Sequence, residues 1–157
     1  PGTVSVLELE TKKAIKHIQV GPGTEGIDIS PDNKLIYATA REANQLVKID
    51  ARTFKVIKRV ETQKAPIRVL VTPDGKKLAV NNAESGTFQI YDAKTLELIK
   101  TIKVGHLPIG LIVPSNNFAY VANMVDNTIF KIDLNTMKVA GVISTGTKPD
   151  GMTFIRR

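Results

Sequence analysis

The 157-residue sequence has no cysteine and no tryptophan, and aromatic residues make up only 5% of it. The absence of cysteine excludes a disulfide scaffold, a thiolate metal site and a cysteine nucleophile. With so few aromatic residues, the core must consist of valine, isoleucine and leucine, which favours β-structure. No apolar run approaches the roughly 18 residues of a membrane helix, and the first residues do not form a signal peptide. We therefore expect a soluble chain, with any export signal upstream of Pro1 or removed.

Acidic residues are also in deficit, since 22 lysines and arginines outnumber 15 aspartates and glutamates and give a net charge of +7. The lysines are spread over turns and outer strands, and no aromatic residues alternate with them as stacking platforms for bases. This pattern favours a solvated surface that protects exposed strand edges. Binding of a polyanion, including single-stranded nucleic acid, remains the alternative. The lysines concerned are Lys12, Lys13, Lys34, Lys55, Lys58, Lys76, Lys77 and Lys94.

Residues 66–92, PIRVLVTPDGKKLAVNNAESGTFQIYD, contain the clearest copy of a repeated unit. A short apolar run leads into the turn TPDG, in which proline fixes φ and glycine allows a positive φ. A return strand at 77–80 and an alternating third strand at 87–91 follow, and residues 98–104 suit a half-buried outer strand. The unit is therefore predicted to be a four-stranded meander.

The unit recurs with a regular period. An acidic residue ends each third strand, and a threonine follows it three positions later. Both series are spaced by 42, 42 and 41 residues: Glu8, Asp50, Asp92 and Asp133, and Thr11, Thr53, Thr95 and Thr136. A period of about 40–45 residues holding four strands is typical of a β-propeller with one unit per blade. Each acidic residue is interpreted as the cap of a tight turn, not as a catalytic group.

The predicted fold is all-β, a β-propeller of four-stranded antiparallel blades that forms an incomplete ring. With strands named A to D from the axis outwards, the chain reads C and D, three complete ABCD blades, and a final A strand. The units are 1–20, 24–62, 66–104, 108–145 and 149–157. A closing blade made from the two ends would lack its B strand. Either an upstream segment or another chain supplies this strand, or the blade is defective; we expect a larger or a multi-chain propeller.

The sequence YVAN at 120–123, followed by NTIFKIDLNTMKVAGVISTGTKPDGMTF, together with VTPDGKKLAV and ISPDNKLIYA, resembles the YVTN family of β-propeller repeat proteins. The other copies match the YVTN tetrad less closely than YVAN does. The resemblance implies an exported protein of the periplasm or cell surface and a parent chain that is longer, often with seven blades. Related propellers hold haem or quinone cofactors or act as lactonases, so the resemblance leaves haem open.

In a propeller, the D–A and B–C loops gather on one face around the central channel, and function is expected there. Arg41 and Lys148 belong to these loops and are candidate ligand-binding residues. The D–A loops are 21–23, 63–65, 105–107 and 146–148, and the B–C loops are 41–43, 83–85 and 124–126.

Arg68 breaks the repeat, because its position holds glycine in the other copies: Gly26, Gly110 and Gly151. A guanidinium on an inner strand must reach water or an acidic partner, and Glu25 and Asp150 are the candidate partners. Two interpretations follow. The favoured one is an ion pair that lines the channel, and the alternative is a site for an anionic ligand.

Neither histidine predicts a metal site. His17 lies on an outer strand and is expected to be solvated. His106, in a D–A loop, is the better candidate for an axial ligand or proton carrier, although no second ligand accompanies it. Nucleophile elbows and phosphate-binding glycine loops are absent from the sequence. No cofactor is therefore predicted from the residues themselves.

Two classes of function are open. The favoured one is a non-catalytic module of an exported or cell-envelope protein that binds a protein or a small anionic ligand on the loop face. The other is part of a propeller enzyme or redox subunit, in which convergent ionisable groups with shifted pKa values are expected.

Overall fold

The computed structural model describes residues 2–155, and these contain fourteen β-strands and no helix. Among them, no segment forms a helix long and apolar enough to span a membrane. The strands form one two-stranded and three four-stranded sheets, all antiparallel. The predicted all-β fold of four-stranded blades, without ring closure, is confirmed.

Each sheet is a meander in chain order. The half blade contains β1 (Thr3–Glu8) and β2 (Lys13–Gln19). The first blade contains β3 (Thr24–Ile29), β4 (Leu35–Ala40), β5 (Gln45–Asp50) and β6 (Val56–Glu61). The second contains β7 (Pro66–Val71), β8 (Lys77–Asn82), β9 (Thr87–Asp92) and β10 (Leu98–Lys103). The third contains β11 (Pro108–Ile112), β12 (Phe118–Asn123), β13 (Thr128–Asp133) and β14 (Lys138–Ser144).

The first strands of the three complete blades lie side by side, since β3 contacts β7 and β7 contacts β11. They are therefore the inner strands, and the fourth strands form the outer edge. Each inner strand has a register shift near its start, at Thr24/Ile27, Pro66/Arg68 and Pro108/Gly110. These bulges place Gly26, Arg68 and Gly110 at equivalent points of the inner wall.

Apolar side chains fill the spaces between successive blades. Phe88, Ile102 and Leu111 belong to the cluster between the second and third blades. Tyr37, Leu46 and Val69 belong to the cluster between the first and second. The half blade packs on the first blade in the same way, through Val4, Ile18, Val20 and their neighbours. The half blade and the three complete blades, here called the arc, are therefore stabilised by apolar burial between blades, and not within any single sheet.

In the three complete blades, the aspartate that ends the third strand caps the C–D turn, as predicted, whereas Glu8 of the half blade accepts a bond from the Thr11 hydroxyl at 2.5 Å. The Oδ1 of Asp50 accepts a hydrogen bond from the backbone N–H of Thr53 at 2.6 Å. Asp92 and Asp133 accept the equivalent bonds at 2.7 and 3.0 Å. The next residue of each turn has a left-handed backbone, with φ between 56° and 59° at Lys12, Phe54, Leu96 and Met137. The repeat thus fixes this turn without glycine.

Because of these capping bonds, the free energy of unfolding depends on pH. Backbone N–H donors, chiefly those of Thr53, Thr95 and Thr136, lower the pKa values of Asp50, Asp92 and Asp133 below the ordinary value of 3.8. Because the folded pKa is depressed, the stabilisation is complete well above pH 3.8 and is lost as the pH falls through the folded value.

We expect the free energy of unfolding, measured by urea titration, to be flat between pH 5 and 7 and to fall below pH 3.8. The variant Asp92→Asn keeps an oxygen acceptor but cannot titrate, so its decline should be shallower. An equally steep decline in this variant would show that the caps do not cause the acid sensitivity.

The structure differs from the expected final A strand. Residues 149–155 form no strand, and residues 156 and 157 of that unit, like Pro1, lie outside the described residues. Even so, the segment follows the path of an inner strand. A Cβ added at Gly110 would lie 2.0 Å from the carbonyl oxygen of Asp150, as one at Gly26 would lie 2.5 Å from that of Ile67. Among residues 2–155, no second strand pairs with this segment.

Candidate functional site

The loop face is built from hydrogen bonds between D–A and B–C loops. The N–H groups of Ala83 and Met124, at the start of B–C loops, donate to the carbonyls of Ala65 and Leu107 at 2.8 and 3.1 Å. The residues that end these D–A loops have a left-handed backbone at non-glycine positions, namely Ala65, Leu107 and Lys148, with φ of 58°, 53° and 54°. The predicted gathering of these loops on one face is therefore present in the structure.

In the first and third blades, an asparagine ties the B–C loop to the D–A loop that follows the blade. The Oδ1 of Asn44 accepts a bond from the N–H of Ala65 at 2.8 Å, and that of Asn127 accepts one from the N–H of Lys148 at 2.9 Å. The second blade has Gly86 at this position, with the same left-handed backbone. The D–A loop that follows the second blade is held instead by Asp126, which lies in the B–C loop of the third blade.

Shallow grooves mark the blade boundaries on this face, one beside each of the three B–C loops. One is lined by Arg41, Glu42 and Lys64, the next by Glu84, Ser85, Lys103 and His106, and the third by Met124, Val125 and Lys148. Arg41, His106 and Lys148, which the sequence singled out, therefore lie in three separate grooves and do not converge on one centre.

His106 is held by the carboxylate of Asp126 through two contacts. Its backbone N–H donates to Oδ2 at 2.6 Å, and its Nδ1 lies 2.8 Å from Oδ1. These bonds, the backbone one first, lower the pKa of Asp126 below its ordinary value. The imidazole is largely exposed. Asp126 therefore orients a histidine ring that faces solvent, an arrangement the sequence did not reveal because the two residues belong to different blades.

No metal centre accompanies this pair. Among residues 2–155, no three histidine, cysteine or acidic side chains are grouped so that they could hold a metal ion. His17 is exposed on β2, as expected, with its Nδ1 2.9 Å from the hydroxyl of Ser5.

The ion pair expected for Arg68 does not form. Within the described part of the chain, no carboxylate lies within 4.0 Å of its guanidinium. Glu25 instead pairs with Arg41 at 3.7 Å, because it lies in the β3 bulge opposite the end of β4, which Arg41 follows. Asp150 is exposed, and its backbone lies against Gly110. Arg68 is thus a half-buried cation on the inner wall without an acidic partner in residues 2–155.

Two paired residues of the second blade depart from the repeat, Arg68 on β7 and Asn81 on β8. Asn81, which pairs with Arg68 in the sheet register, replaces Thr39 of the first blade and Ala122 of the third. Thr39 Oγ1 accepts a bond from the N–H of Gly26 at 2.8 Å. The Thr39 hydroxyl also donates to the carbonyl of Ile67 on the next inner strand, at 3.4 Å. Asn81 makes the equivalent link with its amide, which donates to the carbonyl of Gly110 on β11 at 2.9 Å.

Two buried amide oxygens add to this irregularity. The Oδ1 atoms of Asn81 and Asn82 have no hydrogen-bond partner among the described residues. The Nδ2 of Asn82 donates to the Oε1 of Gln89, which also accepts bonds from the Tyr91 hydroxyl and the Gln63 N–H. Such unpaired buried oxygens are uncommon in proteins, and both lie on β8, next to the strand that carries Arg68.

Solved structures similar to this chain are propellers or propeller-containing proteins. Hydrazine synthase of Kuenenia stuttgartiensis is 35% identical over 85% of this chain and 39% of that chain, with a TM-score of 0.79. The dihydro-heme d1 dehydrogenase NirN, solved in complex with DHE, is 18% identical over 92% of this chain and 33% of that one, with a TM-score of 0.75. The WD40 repeats of RRP9 are 15% identical over 81% and 40%, with a TM-score of 0.73. The last two show the fold alone.

The chain spans no more than 40% of the length of each of these three solved chains. No match was found among curated protein sequences. A family model does match, and it covers residues 1–155. The chain belongs to the family described as a domain of unknown function, DUF5074.

Proposed function

We propose that this chain is a non-catalytic propeller module that binds a small anionic ligand on its inner wall, with Arg68 as the main contact. The observation that carries the proposal is the half-buried guanidinium at a position where the neighbouring blades have glycine. Burial of a cation without an acidic partner is costly, and an anion supplied by a ligand would offset that cost.

The surrounding residues support an anion over a cation. The sequence carries seven more positive than negative charges. The candidate acidic partner Glu25 is already engaged by Arg41, so it does not compete for the guanidinium. A carboxylate or phosphate group can accept two parallel hydrogen bonds from an arginine. The proposed ligand therefore carries at least one such group.

In this proposal the module belongs to an exported YVTN-type propeller of the periplasm or cell surface. The YVAN tetrad at 120–123 and the Pro-Asp turns at 31–32 and 73–74 support that assignment. Further blades, from the same polypeptide or another chain, would extend the inner wall around the ligand.

The variant Arg68→Gly tests the site, because it introduces the residue that two other blades already have and should leave the fold intact. Inorganic phosphate and citrate serve as probes in isothermal titration calorimetry. Loss of a charge-assisted hydrogen bond should weaken binding roughly 10- to 100-fold. Arg52→Gly, in the C–D turn at the opposite end of the blades, removes the same charge and should bind as the wild type does. Equal losses in the two variants would mean that only the net charge matters.

A role in an enzyme or redox subunit is the second candidate, and the 35% identity with hydrazine synthase favours it. In that case the exposed His106, oriented by Asp126, is the residue suited to a proton or an axial ligand. Titration of the purified protein with haemin, followed in the Soret region, separates the two candidates. A spectral change lost in His106→Ala but retained in His17→Ala would support the second candidate over the first.

A further inference from the structure

The face opposite the loop face carries a groove between the first and second blades, here called the turn-face groove. It lies between the turns that join the first two strands of each blade, here called the A–B turns, and has a volume of about 250 Å³. Both blades are complete, so the groove does not depend on either end of the chain. Apolar side chains and two carboxylates line it: Pro31, Asp32, Leu35, Tyr37, Asp74 and Ala93.

The A–B turns of these two blades have the same internal hydrogen bonds. The first hydroxyl of each turn donates to the aspartate after the proline, Ser30 to Asp32 and Thr72 to Asp74, both at 2.6 Å. In each turn the N–H of the residue after the aspartate also donates to the carbonyl of that first residue, at 2.8 Å. The backbone N–H groups of Asp32 and Asp74 therefore point the same way relative to their blades.

An asparagine side chain receives this N–H at the next blade boundary. Asn116, in the A–B turn of the third blade, accepts a bond from the N–H of Asp74 at its Oδ1, at 2.8 Å. Two residues before the return strand, where the third blade has Asn116, the second blade has Gly75. Glycine offers no acceptor, and the N–H of Asp32 has no hydrogen-bond partner among residues 2–155. Gly75 itself lines the turn-face groove, so the groove lies where this side chain is absent.

There is room for such a side chain. A Cβ added at Gly75 would make an ordinary contact with Pro31, 3.5 Å from its Cδ. On the other side of the groove, the two bonds that the carboxylate of Asp74 accepts within its turn both go to Oδ1. Its Oδ2 is therefore available to a donor. The groove thus presents one free donor, the N–H of Asp32, and one free acceptor.

We propose that the turn-face groove binds a carboxamide group, supplied by an asparagine or glutamine side chain of a partner protein. The carbonyl oxygen of this group accepts the bond from the N–H of Asp32, as Asn116 does for Asp74, and its NH₂ donates to the carboxylate of Asp74. A carboxylate has no hydrogen to donate, and a cationic amine has no lone pair to accept with. The proposal does not depend on anion binding at Arg68, which lies on the inner wall.

Acetamide, the carboxamide group of asparagine without its backbone, is the probe for a titration followed by backbone amide chemical shifts. The N–H resonance of Asp32 should shift and saturate, with a Kd on the order of 10 mM for so small a molecule. The resonance of Asp74, whose N–H is already bonded to Asn116, should stay in place. Acetate and acetamidinium have the same shape but carry only acceptors or only donors. An equal or larger response of Asp32 to either ion would overturn the proposal.

The variant Gly75→Asn should fill the groove with its own carboxamide. The backbone of Gly75 is left-handed, with φ of 72°, and asparagine tolerates this conformation, as Asn33 does at the same position of the first blade with φ of 58°. Binding of acetamide at Asp32 should therefore weaken by at least about 10-fold. Circular dichroism spectra that match the wild type would show that the variant folds.

Gly86→Asn is the matched control. It makes the same substitution at another left-handed glycine of the second blade, with φ of 62°, but in the B–C loop on the loop face. Asn44 and Asn127 already hold this position in the neighbouring blades. This variant should bind acetamide as the wild type does. Unchanged binding in Gly75→Asn, or an equal loss in Gly86→Asn, would show that the groove is not a carboxamide site.

Discussion

Replacing Phe88 by alanine should lower the free energy of unfolding by about 3–5 kcal/mol. Its ring is fully buried between the second and third blades, in one cluster with Ile102, Leu111, Val121 and Ile132. Because residues on both sides of the blade boundary form this cluster, neither sheet can collapse into the cavity without moving the other. Equilibrium unfolding in urea, followed by circular dichroism, measures the loss.

Ile129→Ala is the control, since it truncates the apolar side chain at the same repeat position of the last blade. There the side chain is only partly buried. We expect less than half the loss of Phe88→Ala. Equal losses would contradict the conclusion that blade-to-blade packing, and not packing within each blade, stabilises the arc.

Replacing Gly26 by alanine should cost about 1–3 kcal/mol through overpacking. An added Cβ would lie 2.5 Å from the carbonyl oxygen of Ile67 and 3.0 Å from the Cα of Arg68. Both are backbone atoms of the neighbouring inner strand, which is itself held in a four-stranded sheet and cannot rotate away. The first and second blades would therefore have to separate near the axis.

Gly141→Ala is the control for this prediction, because a Cβ at that position on β14 would meet no atom within 4 Å. Glycine inside a strand is disfavoured by backbone entropy, so this change should be neutral or slightly stabilising. If Gly26→Ala were as stable as Gly141→Ala, the inner strands would not be in the close contact described here.

Most of the fold was predictable from local patterns in the sequence. The strand predicted at 45–50 is β5, and the predicted hairpin turn at 72–75 joins β7 to β8. The acidic residues at 42-residue spacing made the capping bonds predictable, because both donor and acceptor lie within one turn. Asn44 and Asn127 occupy the same repeat position two units apart, and this recurrence is the sequence signal for the loop-tying asparagines.

The candidate site was less predictable because its contacts join residues of different strands or different blades. The glycine pattern identified position 68 as an exception on the inner wall, but the acidic partner expected for Arg68 is not found among residues 2–155. Glu25 pairs with Arg41 across its own blade, and Asp126 reaches His106 from the following one. Residues 149–155 have the pattern of a strand, yet a strand forms only beside a partner, and no described strand pairs with them.

The most direct test of the proposed function is a map of backbone amide chemical shifts during titration with citrate. Binding on the inner wall predicts that the changes concentrate at Gly26, Arg68, Asn81 and Gly110 and disappear in Arg68→Gly. Weak attraction to a solvated basic surface would instead spread the changes along the outer strands, at Lys16, Lys58 and Lys100, and leave them unaltered in that variant. The second result would contradict a specific anion site in this propeller.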